Sequence, residues 1–466
     1  MVPLISLKTF IEEVKSGGID TADFAAKALA EARGIQERYS PFITINDRAG
    51  VSPGKGALAG LPLSVKDCIC TAGIRTTAGS KILESYIPPV DATSVARLRA
   101  AGGMVIGKTA QDEFGFGTFS TNCAYTVPKN PYDTSRSCGG SSGGAACVAA
   151  AAKLPHIAIA ESTGGSITAP AAFTGTVGLT PTYGRISRNG LIDYSNSMDK
   201  IGAIGKSAYD VALALSVMAG RDPSDSTCLP LDGMDFTGSI GKGVKGMRIG
   251  VAREYFEGVD RPVAEQARDS VERLRELGAD VGEVSLPLTG AALPAYYIIA
   301  MSEASTNLAR YSGLRYGAQA EVEGSFSDYF SKVRSGNLGE EAKRRILLGT
   351  YARAAGFRDA FYIKALKVRR RIIDEFRRAF ADFDVIAAPS MPTIAPRFSD
   401  IERLSPIEAY RMDRLTTAPN LAGIPTISVP AGRVEGMPIG LQMMGDHLQE
   451  GKILAAAAAL EGLDGD

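Results

Sequence analysis

Histidine is scarce in this sequence. The 466 residues include two histidines, His156 and His447, and neither lies in a context typical of a catalytic site. Histidine is the usual base that removes the proton from a nucleophilic serine or cysteine. If the chain is a hydrolase with a serine nucleophile, a residue of another type must act as the base.

Charge imbalance and metal-binding motifs are also lacking. The chain has 51 basic and 51 acidic residues, so its formal net charge is zero. This balance argues against a protein that holds nucleic acid by its overall charge. Six cysteines are scattered along the chain, and no CxxC pair or Cys/His cluster has the spacing of a zinc site. We therefore expect reduced cysteines, several of them buried, and no metal site.

The sequence shows no segment typical of secretion, membrane insertion or ATP binding. The N-terminal stretch MVPLISLKTFIEEVKSG lacks a basic n-region and a cleavage site, and the apolar run ILAAAAAL is too short to cross a bilayer. GGSSGG at 139–144 has neither the GK[ST] of a P-loop nor the GxGxxG fingerprint. These features predict a cytoplasmic protein with no membrane contact and no cofactor of its own.

Hydrophobic periodicity predicts an α/β protein. It predicts N-terminal helices within 1–45, buried strands such as ALAGLPLSVKD and HIAIAES, and a mainly helical segment over 295–380. The order helix, Gly-Gly turn, strand in SVARLRAAGGMVIGKTA favours a mostly parallel sheet covered by helices. Because no repeat or disordered linker interrupts the pattern, 1–466 is predicted to form a single domain.

Three residues could together replace the missing histidine. Ser166 follows two glycines in ESTGGSITAP, Ser141 is the first serine of GGSSGG, and Lys66 ends a predicted strand. A neutral lysine amine is a competent base, but a free lysine has a pKa of about 10.4, so its pocket must disfavour the charged form. From composition alone, ordinary turn serines and a solvated lysine remain the alternative.

A longer stretch resembles a known family. The segment GGSSGGAACVAA…ESTGGSITAPAAFTGTVGLTPTYGRIS is similar to the signature of the amidase signature family. Further blocks, among them LAGLPLSVKDCICTAGIRTTAGSKIL and GEEAKRRILLGTYA, extend the resemblance from about residue 58 to 450. They are most like the branch that provides the A subunits of glutamyl-tRNA(Gln)/aspartyl-tRNA(Asn) amidotransferases. The resemblance implies a large, mixed, twisted sheet covered by helices on both faces.

The resemblance also implies a Ser–cisSer–Lys catalytic set. Ser166 would be the nucleophile, Ser141 the cis-serine that bridges it to the lysine, and Lys66 the base. Ser142 would support the site by hydrogen bonding. The oxyanion hole would be formed by the backbone N–H groups of Thr163, Gly164, Gly165 and Ser166.

The implied substrate is glutamine, or asparagine. Arg345 would grip its α-carboxylate with a bidentate fork, Asp413 would face its α-ammonium group, and Tyr296 would add a hydrogen bond. Without the resemblance, Arg345 would be interpreted as a surface charge, because Arg344 is adjacent to it.

The resemblance implies a heterotrimer with the B and C subunits of the amidotransferase. Ammonia would pass to the B subunit, which would use ATP and Mg to amidate Glu-tRNA(Gln), Asp-tRNA(Asn) or both, and which would provide most of the tRNA contacts. The basic run KALKVRRRIIDEFRR, at 364–378, is predicted to be a solvated helix face rather than a tRNA contact.

Two alternatives and one departure accompany this interpretation. The chain could be a free-standing amidase for another small amide, or a scaffold that keeps the fold without catalysis. The departure concerns Ser162 and Thr168, which stand where the family usually has Asp and Arg. Their joint replacement leaves open what supports the loop around Ser166.

Overall fold

The computed structural model describes residues 5–48 and 56–462, and one 11-stranded sheet runs through these ranges. The strands are β1 (Phe42–Ile45), β2 (Pro62–Lys66), β3 (Met104–Thr109), β4 (Ile157–Ser162), β5 (Val177–Thr180), β6 (Lys200–Gly205), β7 (Arg248–Ala252), β8 (Asp280–Val284), β9 (Val385–Pro389), β10 (Thr426–Val434) and β11 (Met437–Gly445). Their order across the sheet is β1-β3-β2-β4-β6-β5-β10-β11-β9-β7-β8.

Helices cover this sheet. They are α1 (Leu7–Ser16), α2 (Thr21–Tyr39), α3 (Thr93–Ala100), α4 (Gly143–Ala151), α5 (Thr168–Thr174), α6 (Ala208–Met218), α7 (Arg261–Glu276), α8 (Thr289–Asn307), α9 (Phe326–Asn337), α10 (Glu340–Arg353), α11 (Lys364–Asp382), α12 (Phe398–Ile401), α13 (Pro406–Arg411), α14 (Thr417–Ala422) and α15 (Glu450–Glu461). The α/β fold with a large mixed sheet is thus confirmed.

The prediction of a mostly parallel sheet is wrong. Parallel pairing is confined to β2 with β3 and β4, and to β7 with β8 and β9, while the remaining strand pairs are antiparallel. The helix–turn–strand order in SVARLRAAGGMVIGKTA does correspond to a parallel pair, that of β2 and β3. The strands between the two parallel regions are joined antiparallel, including the β10–β11 hairpin, and periodicity carries no information about strand direction.

The N-terminal region contains more than helices. Helices α1 and α2 lie within the predicted span 1–45, of which residues 1–4 lie outside the described ranges. Residues 42–45 form β1, an edge strand that pairs antiparallel with β3. The described residues of 295–380 are mainly helical, as α8 to α11 show.

Small residues allow two close approaches that shape the site. A Cβ on Gly144, in the first turn of α4, would overlap the backbone of Ala110 and Pro41. A Cβ on Gly349 of α10 would overlap the backbone of Met301 in α8. Because α8 and α10 touch at the backbone, their tyrosine and arginine side chains share one buried space.

The described ranges lack two features, a membrane-spanning helix and a metal-binding cluster. No helix in residues 5–48 and 56–462 is both long enough and apolar enough to traverse a bilayer. The same residues contain no group of three or more His, Cys, Asp or Glu side chains placed to hold a metal ion.

Candidate active site

Lys66 and Ser141 meet in the interior of the protein. Lys66 is the last residue of β2, and its Nζ lies 2.7 Å from the Ser141 Oγ. The same Nζ donates to the Glu161 side chain at 2.8 Å and to the Glu161 carbonyl at 3.0 Å. Both Lys66 and Ser141 have no solvent exposure. The pair is therefore closed off from bulk solvent, and beside it lies the carboxyl group of Glu161, which sequence reasoning did not anticipate.

The backbone around Ser141 has an unusual geometry. The peptide bond between Gly140 and Ser141 is cis, which is the geometry that the resemblance implies. A Cβ on Gly140 would overlap the Asp112 carboxylate and the backbone of the facing loop. The next residue, Ser142, donates to the Glu161 carbonyl at 3.0 Å. Glu161 thus receives hydrogen bonds from Lys66 and Ser142 on one backbone oxygen.

Ser166 makes no hydrogen bond to this pair in the described residues. It occupies the turn between β4 and α5 and is partly exposed, whereas its neighbours on either side are buried. Its hydroxyl has no hydrogen-bond partner among the described residues. The structure therefore connects Lys66 to Ser141 but leaves the hydroxyl of Ser166 free to meet a substrate or to turn towards Ser141.

Ser162 and Thr168 hold the turn that carries Ser166. The Ser162 hydroxyl accepts a hydrogen bond from the Gly165 N–H at 3.1 Å, and the Thr168 hydroxyl donates to the Gly165 carbonyl at 3.2 Å. Thr416 donates to the Gly164 carbonyl at 2.7 Å. Neutral hydroxyls thus support the loop where the family usually has a charged pair.

The hydrogen bond from Gly165 to Ser162 reduces the number of candidate donors in the predicted oxyanion hole. The N–H of Gly165 is engaged by Ser162, so it does not face the substrate in this conformation. The N–H groups of Thr163, Gly164 and Ser166 have no hydrogen-bond partner within residues 5–48 and 56–462. They remain the candidate donors for a developing oxyanion.

Substituting Gly165 tests the importance of this turn. Gly165 has φ +136°, which L side chains rarely adopt, and a Cβ there would overlap the Thr416 side chain. We expect Gly165→Ala to lower kcat/KM for amide hydrolysis at least ~10²-fold, because the oxyanion donors shift. Gly290→Ala is the matched control, since a Cβ at Gly290 meets nothing within 4 Å. Equal activity of the two variants would contradict this account of the turn.

Two buried carboxyl groups flank the site, and sequence reasoning missed both. The Thr163 hydroxyl lies 2.8 Å from the Glu161 Oε1 and 2.8 Å from the Asp199 Oδ1. The Asp199 Oδ2 accepts from the backbone N–H groups of Tyr194 and Ser195, each at 2.9 Å. Burial raises the pKa of Asp199 well above its usual range, and the nearby Glu161 raises it further. The one available signal was an acidic residue inside the otherwise apolar strand IAIAES.

Arg345 is buried, so the interpretation as a surface charge is wrong. It is 2% exposed, whereas the side chain of the adjacent Arg344 is 41% exposed. The Arg345 Nε donates to Glu341 at 2.8 Å and the Nη1 to the Tyr194 hydroxyl at 2.7 Å. Its Nη2 has no hydrogen-bond partner among the described residues. The free end of the guanidinium is the part that could bind a carboxylate.

Aromatic rings enclose this arginine. Its Cζ lies 5.2 to 5.8 Å from the centroids of four rings, which are those of Phe116, Tyr194, Tyr297 and Tyr410. Such a cage stabilises the cation and fixes its orientation. A cavity of about 750 Å³ opens beside Arg345 and Tyr410.

Asp413 lies on the same side of the cage as Tyr297. Its Oδ2 accepts from the Tyr297 hydroxyl at 2.5 Å and from the Thr118 hydroxyl at 3.1 Å. Burial raises the pKa of Asp413 to about 6, although these hydrogen bonds and Arg345 act in the opposite direction. The tyrosine that contacts Asp413 is therefore Tyr297. The hydrogen bond from Tyr296 to the substrate stays a prediction.

Tyr296 has a different neighbour. A Cβ on Gly164 would overlap the Tyr296 ring, so this ring lies directly against the candidate oxyanion loop. The ring also packs edge-on against Tyr297, with centroids 5.0 Å apart. Tyr296 thus borders the turn that carries Ser166.

Two other buried ionisable groups near β2, Asp67 and His156, have partners away from the candidate site. Asp67 accepts from Thr77 at 2.5 Å and faces Lys108 at 3.6 Å, so it points away from Lys66, as strand alternation predicts. His156 lies 2.9 Å from the Ser64 hydroxyl, and burial lowers its pKa to about 3. His156 is therefore held neutral, and its hydrogen-bond partner is Ser64 rather than the candidate nucleophile.

Comparisons with known proteins show the family of the chain. The family model described as Amidase matches residues 24–454, and the chain belongs to this family. The A subunit of glutamyl-tRNA(Gln) amidotransferase from Heliobacterium modesticaldum is 47% identical over 407 residues, which cover 87% of this chain and 83% of the relative.

Two solved structures are similar over nearly the whole chain. The A subunit of glutamyl-tRNA(Gln) amidotransferase from Thermotoga maritima has a TM-score of 0.83 at 34% identity, covering 97% of this chain and 94% of that one. A 6-aminohexanoate cyclic dimer hydrolase has a TM-score of 0.85 at 25% identity, covering 99% of this chain and 98% of that one. The fold is thus shared with proteins whose names refer to different reactions.

Proposed function

We propose that this protein is the glutaminase subunit of a tRNA-dependent amidotransferase. The observation that carries the proposal is the buried hydrogen bond between Lys66 and Ser141, close to a serine turn with free backbone N–H groups. Relatives named as the A subunit of glutamyl-tRNA(Gln) amidotransferase, at up to 47% identity, support the assignment of substrate and assembly. The proposed reaction is hydrolysis of glutamine, or asparagine, to release ammonia.

The proposed mechanism uses the three residues in sequence. Lys66, in its neutral form, accepts the proton of Ser141, and Ser141 accepts the proton of Ser166. The Ser166 oxygen attacks the side-chain amide carbon, and the free N–H groups of the turn stabilise the oxyanion. The relay then returns a proton to the departing ammonia, and water hydrolyses the resulting glutamyl ester.

Arg345 and Asp413 would hold the two charged groups on the α-carbon of the substrate. The free Nη2 of Arg345 would bind the α-carboxylate, and ionised Asp413 would bind the α-ammonium group. Glu341 and Tyr194 keep the guanidinium in place, so the substrate need not order it.

The released ammonia would be used by a partner. We propose a heterotrimer in which the B subunit uses ATP and Mg to amidate Glu-tRNA(Gln) or Asp-tRNA(Asn), and in which the C subunit is the third member. Arg369, within the basic run of α11, bonds to Ser197 and to the Leu421 carbonyl. This contact supports a structural role for at least one of these basic residues, and tRNA contacts would lie mainly on the B subunit.

A glutaminase assay with and without co-expressed partner subunits tests the assembly. We expect the chain to co-purify with a larger subunit that uses ATP. Glutamine hydrolysis should increase when that subunit, together with tRNA, is added. Full activity of the isolated chain on another amide, with none on glutamine, would support the free-standing amidase. The similarity to 6-aminohexanoate cyclic dimer hydrolase is the observation that favours this second candidate.

Glutamine binding should depend on pH through Asp413. A carboxyl group whose pKa is raised to about 6 is protonated below that pH, and a neutral carboxyl cannot pair with an ammonium group. We expect KM for glutamine to rise about tenfold per pH unit below pH 6, with kcat changing less. Asp413→Asn should raise KM at all pH values and remove this dependence. An unchanged pH dependence in that variant would rule out Asp413 as the titrating group.

A further inference from the structure

Arg369 belongs to the basic run of α11, but its side chain is directed into the protein. Its Nη2 donates to the Ser197 carbonyl, its Nη1 to the Ser197 hydroxyl and its Nε to the Leu421 carbonyl, each at 2.8 Å. The adjacent Arg370 differs, because its side chain is 67% exposed and pairs with Asp374 of the same helix. All three nitrogens of the Arg369 guanidinium thus bond to residues outside α11.

A second charged side chain holds Ser197 from the other side. Glu303 of α8 accepts from the Ser197 N–H at 3.0 Å and from the Ser197 hydroxyl at 2.7 Å. It also accepts from the Ser195 hydroxyl at 2.6 Å. Glu303 and Arg369 together engage every polar atom of Ser197. Because hydrogen bonds to charged groups are stronger than neutral ones, they fix this point of the chain between α8 and α11.

The segment 194–199, which this pair of charged residues holds, borders the site at both ends. At its start, the Tyr194 hydroxyl accepts from the Arg345 Nη1 at 2.7 Å. At its end, the Asp199 Oδ1 lies 2.8 Å from the Thr163 hydroxyl, in the turn that carries the candidate nucleophile. A displacement of the segment would therefore move the tyrosine that supports Arg345.

The third bond of Arg369 reaches a different part of the site. Leu421 lies in α14, which begins directly after the helical turn that contains Asp413. Thr416, where this turn meets α14, donates to the Gly164 carbonyl at 2.7 Å. One guanidinium group is thus bonded both to the segment that begins at the tyrosine and to the helix that follows Asp413.

We propose that Arg369 is a positioning residue for the binding of the two charged groups on the α-carbon of glutamine. By bonding to both elements at once, it fixes the spacing between Tyr194, which supports Arg345, and Asp413. The inference rests on the proposed function, because that function assigns the α-carboxylate to Arg345 and the α-ammonium group to Asp413.

The proton relay should depend less on this contact. The hydrogen bonds of Lys66 go to Ser141 and Glu161, which lie outside both the segment 194–199 and α14. Loss of Arg369 should therefore affect KM for glutamine more than kcat.

The direct test compares glutamine with butyramide, which keeps the side-chain amide and lacks both α-groups. In the enzyme with its co-expressed partner subunits, we expect Arg369→Met to raise KM for glutamine about tenfold, because the groups that bind the α-carbon substituents are no longer held in place. Butyramide cannot use these groups. The ratio of kcat/KM for glutamine to that for butyramide should therefore fall about tenfold, whereas a general loss of structure would lower both values alike.

Arg370→Met is the matched control, because it removes a neighbouring arginine that bonds within α11, and it should keep the wild-type ratio. Arg369→Lys keeps the charge but has no planar fork to reach all three acceptors, so its ratio should lie between those of the wild type and Arg369→Met. It carries the test if Arg369→Met fails to fold. An unchanged ratio in the Arg369 variants, or an equal fall in Arg370→Met, would overturn the inference.

Hydrogen exchange in the full chain without substrate separates this inference from the proposed function. We expect Arg369→Met to speed amide exchange in 194–199 and in α14, while β2 and β4 keep their wild-type rates. A wild-type enzyme that does not prefer glutamine to butyramide would refute the proposed function, yet faster exchange in these two elements would still support their coupling through Arg369. Unchanged exchange in both elements would overturn the positioning role.

Discussion

Ser166→Ala should abolish glutamine hydrolysis without changing the fold. Loss of a serine nucleophile costs about 10⁴-fold or more in kcat, because the remaining groups supply only binding and oxyanion stabilisation. The free energy of unfolding should stay near the wild-type value, since the Ser166 hydroxyl makes no hydrogen bond to the described residues. Steady-state glutaminase kinetics and chemical denaturation measure the two quantities.

Two comparisons make this expectation specific. A fluorophosphonate probe should label the wild-type chain at Ser166 and should leave Ser166→Ala unlabelled. Ser331→Ala, an exposed serine on α9, should keep both the labelling and the activity of the wild type. Labelling of Ser166→Ala, at a rate equal to that of the wild type, would show that another residue is the nucleophile.

Lys66→Met should have the second largest effect. Removing the general base is expected to lower kcat by about 10³–10⁴-fold. The variant also leaves Glu161 buried without its counter-ion, which should reduce the free energy of unfolding by about 3–5 kcal/mol. The double variant Lys66→Met/Glu161→Gln removes this unpaired charge, so it should recover stability without recovering activity.

A second buried lysine provides a control that distinguishes a loss of catalysis from a loss of stability. Lys108, on the adjacent strand β3, is fully buried, and its Nζ lies 3.6 Å from an Asp67 oxygen, a looser pair than Lys66 and Glu161 at 2.8 Å. Lys108→Met should also be destabilised. Its folded fraction should keep a kcat near the wild-type value. Comparable losses of kcat in the two variants would mean that Lys66 acts only through folding.

Local sequence patterns predicted the parts of the site that depend on local structure. Alternation along LSVK placed Lys66 opposite Val65, and the glycines around Ser141 and Ser166 indicated tight turns. Lys66 and Ser141 meet because β2 and β4 are neighbours in the sheet and α4 begins beside them. That neighbourhood was implied by the family resemblance rather than by the periodicity.

The residues that sequence reasoning missed depend on packing between distant elements. Tyr296 and Tyr297 are adjacent on α8, and the packing of α8 against the turn that carries Asp413 decides that Tyr297 faces this carboxyl group. Arg344 and Arg345 are likewise adjacent on α10 and leave the helix in different directions. Only Arg345 enters the aromatic cage. No local pattern distinguishes neighbours that point to different sides of one helix.

The direction of the central strands could not be predicted from the sequence for a related reason. Periodicity identifies a strand and its buried face, but it does not say which strands become neighbours. The antiparallel pairs β5–β6 and β10–β11 lie between the two parallel regions, and β10 also pairs with β5. This arrangement makes the sheet mixed, although the βαβ rhythm at each end favours parallel pairing.

The central claim is that Ser166 forms a covalent ester with the substrate, and acid quenching during turnover tests it most directly. The assembled enzyme would be mixed with glutamine, quenched in acid, digested, and analysed by peptide mass spectrometry. We predict a glutamyl ester on the peptide that contains Ser166, absent from Ser166→Ala. A glutamyl group on a different residue would contradict the account, as would wild-type turnover with no ester on Ser166 at any quench time.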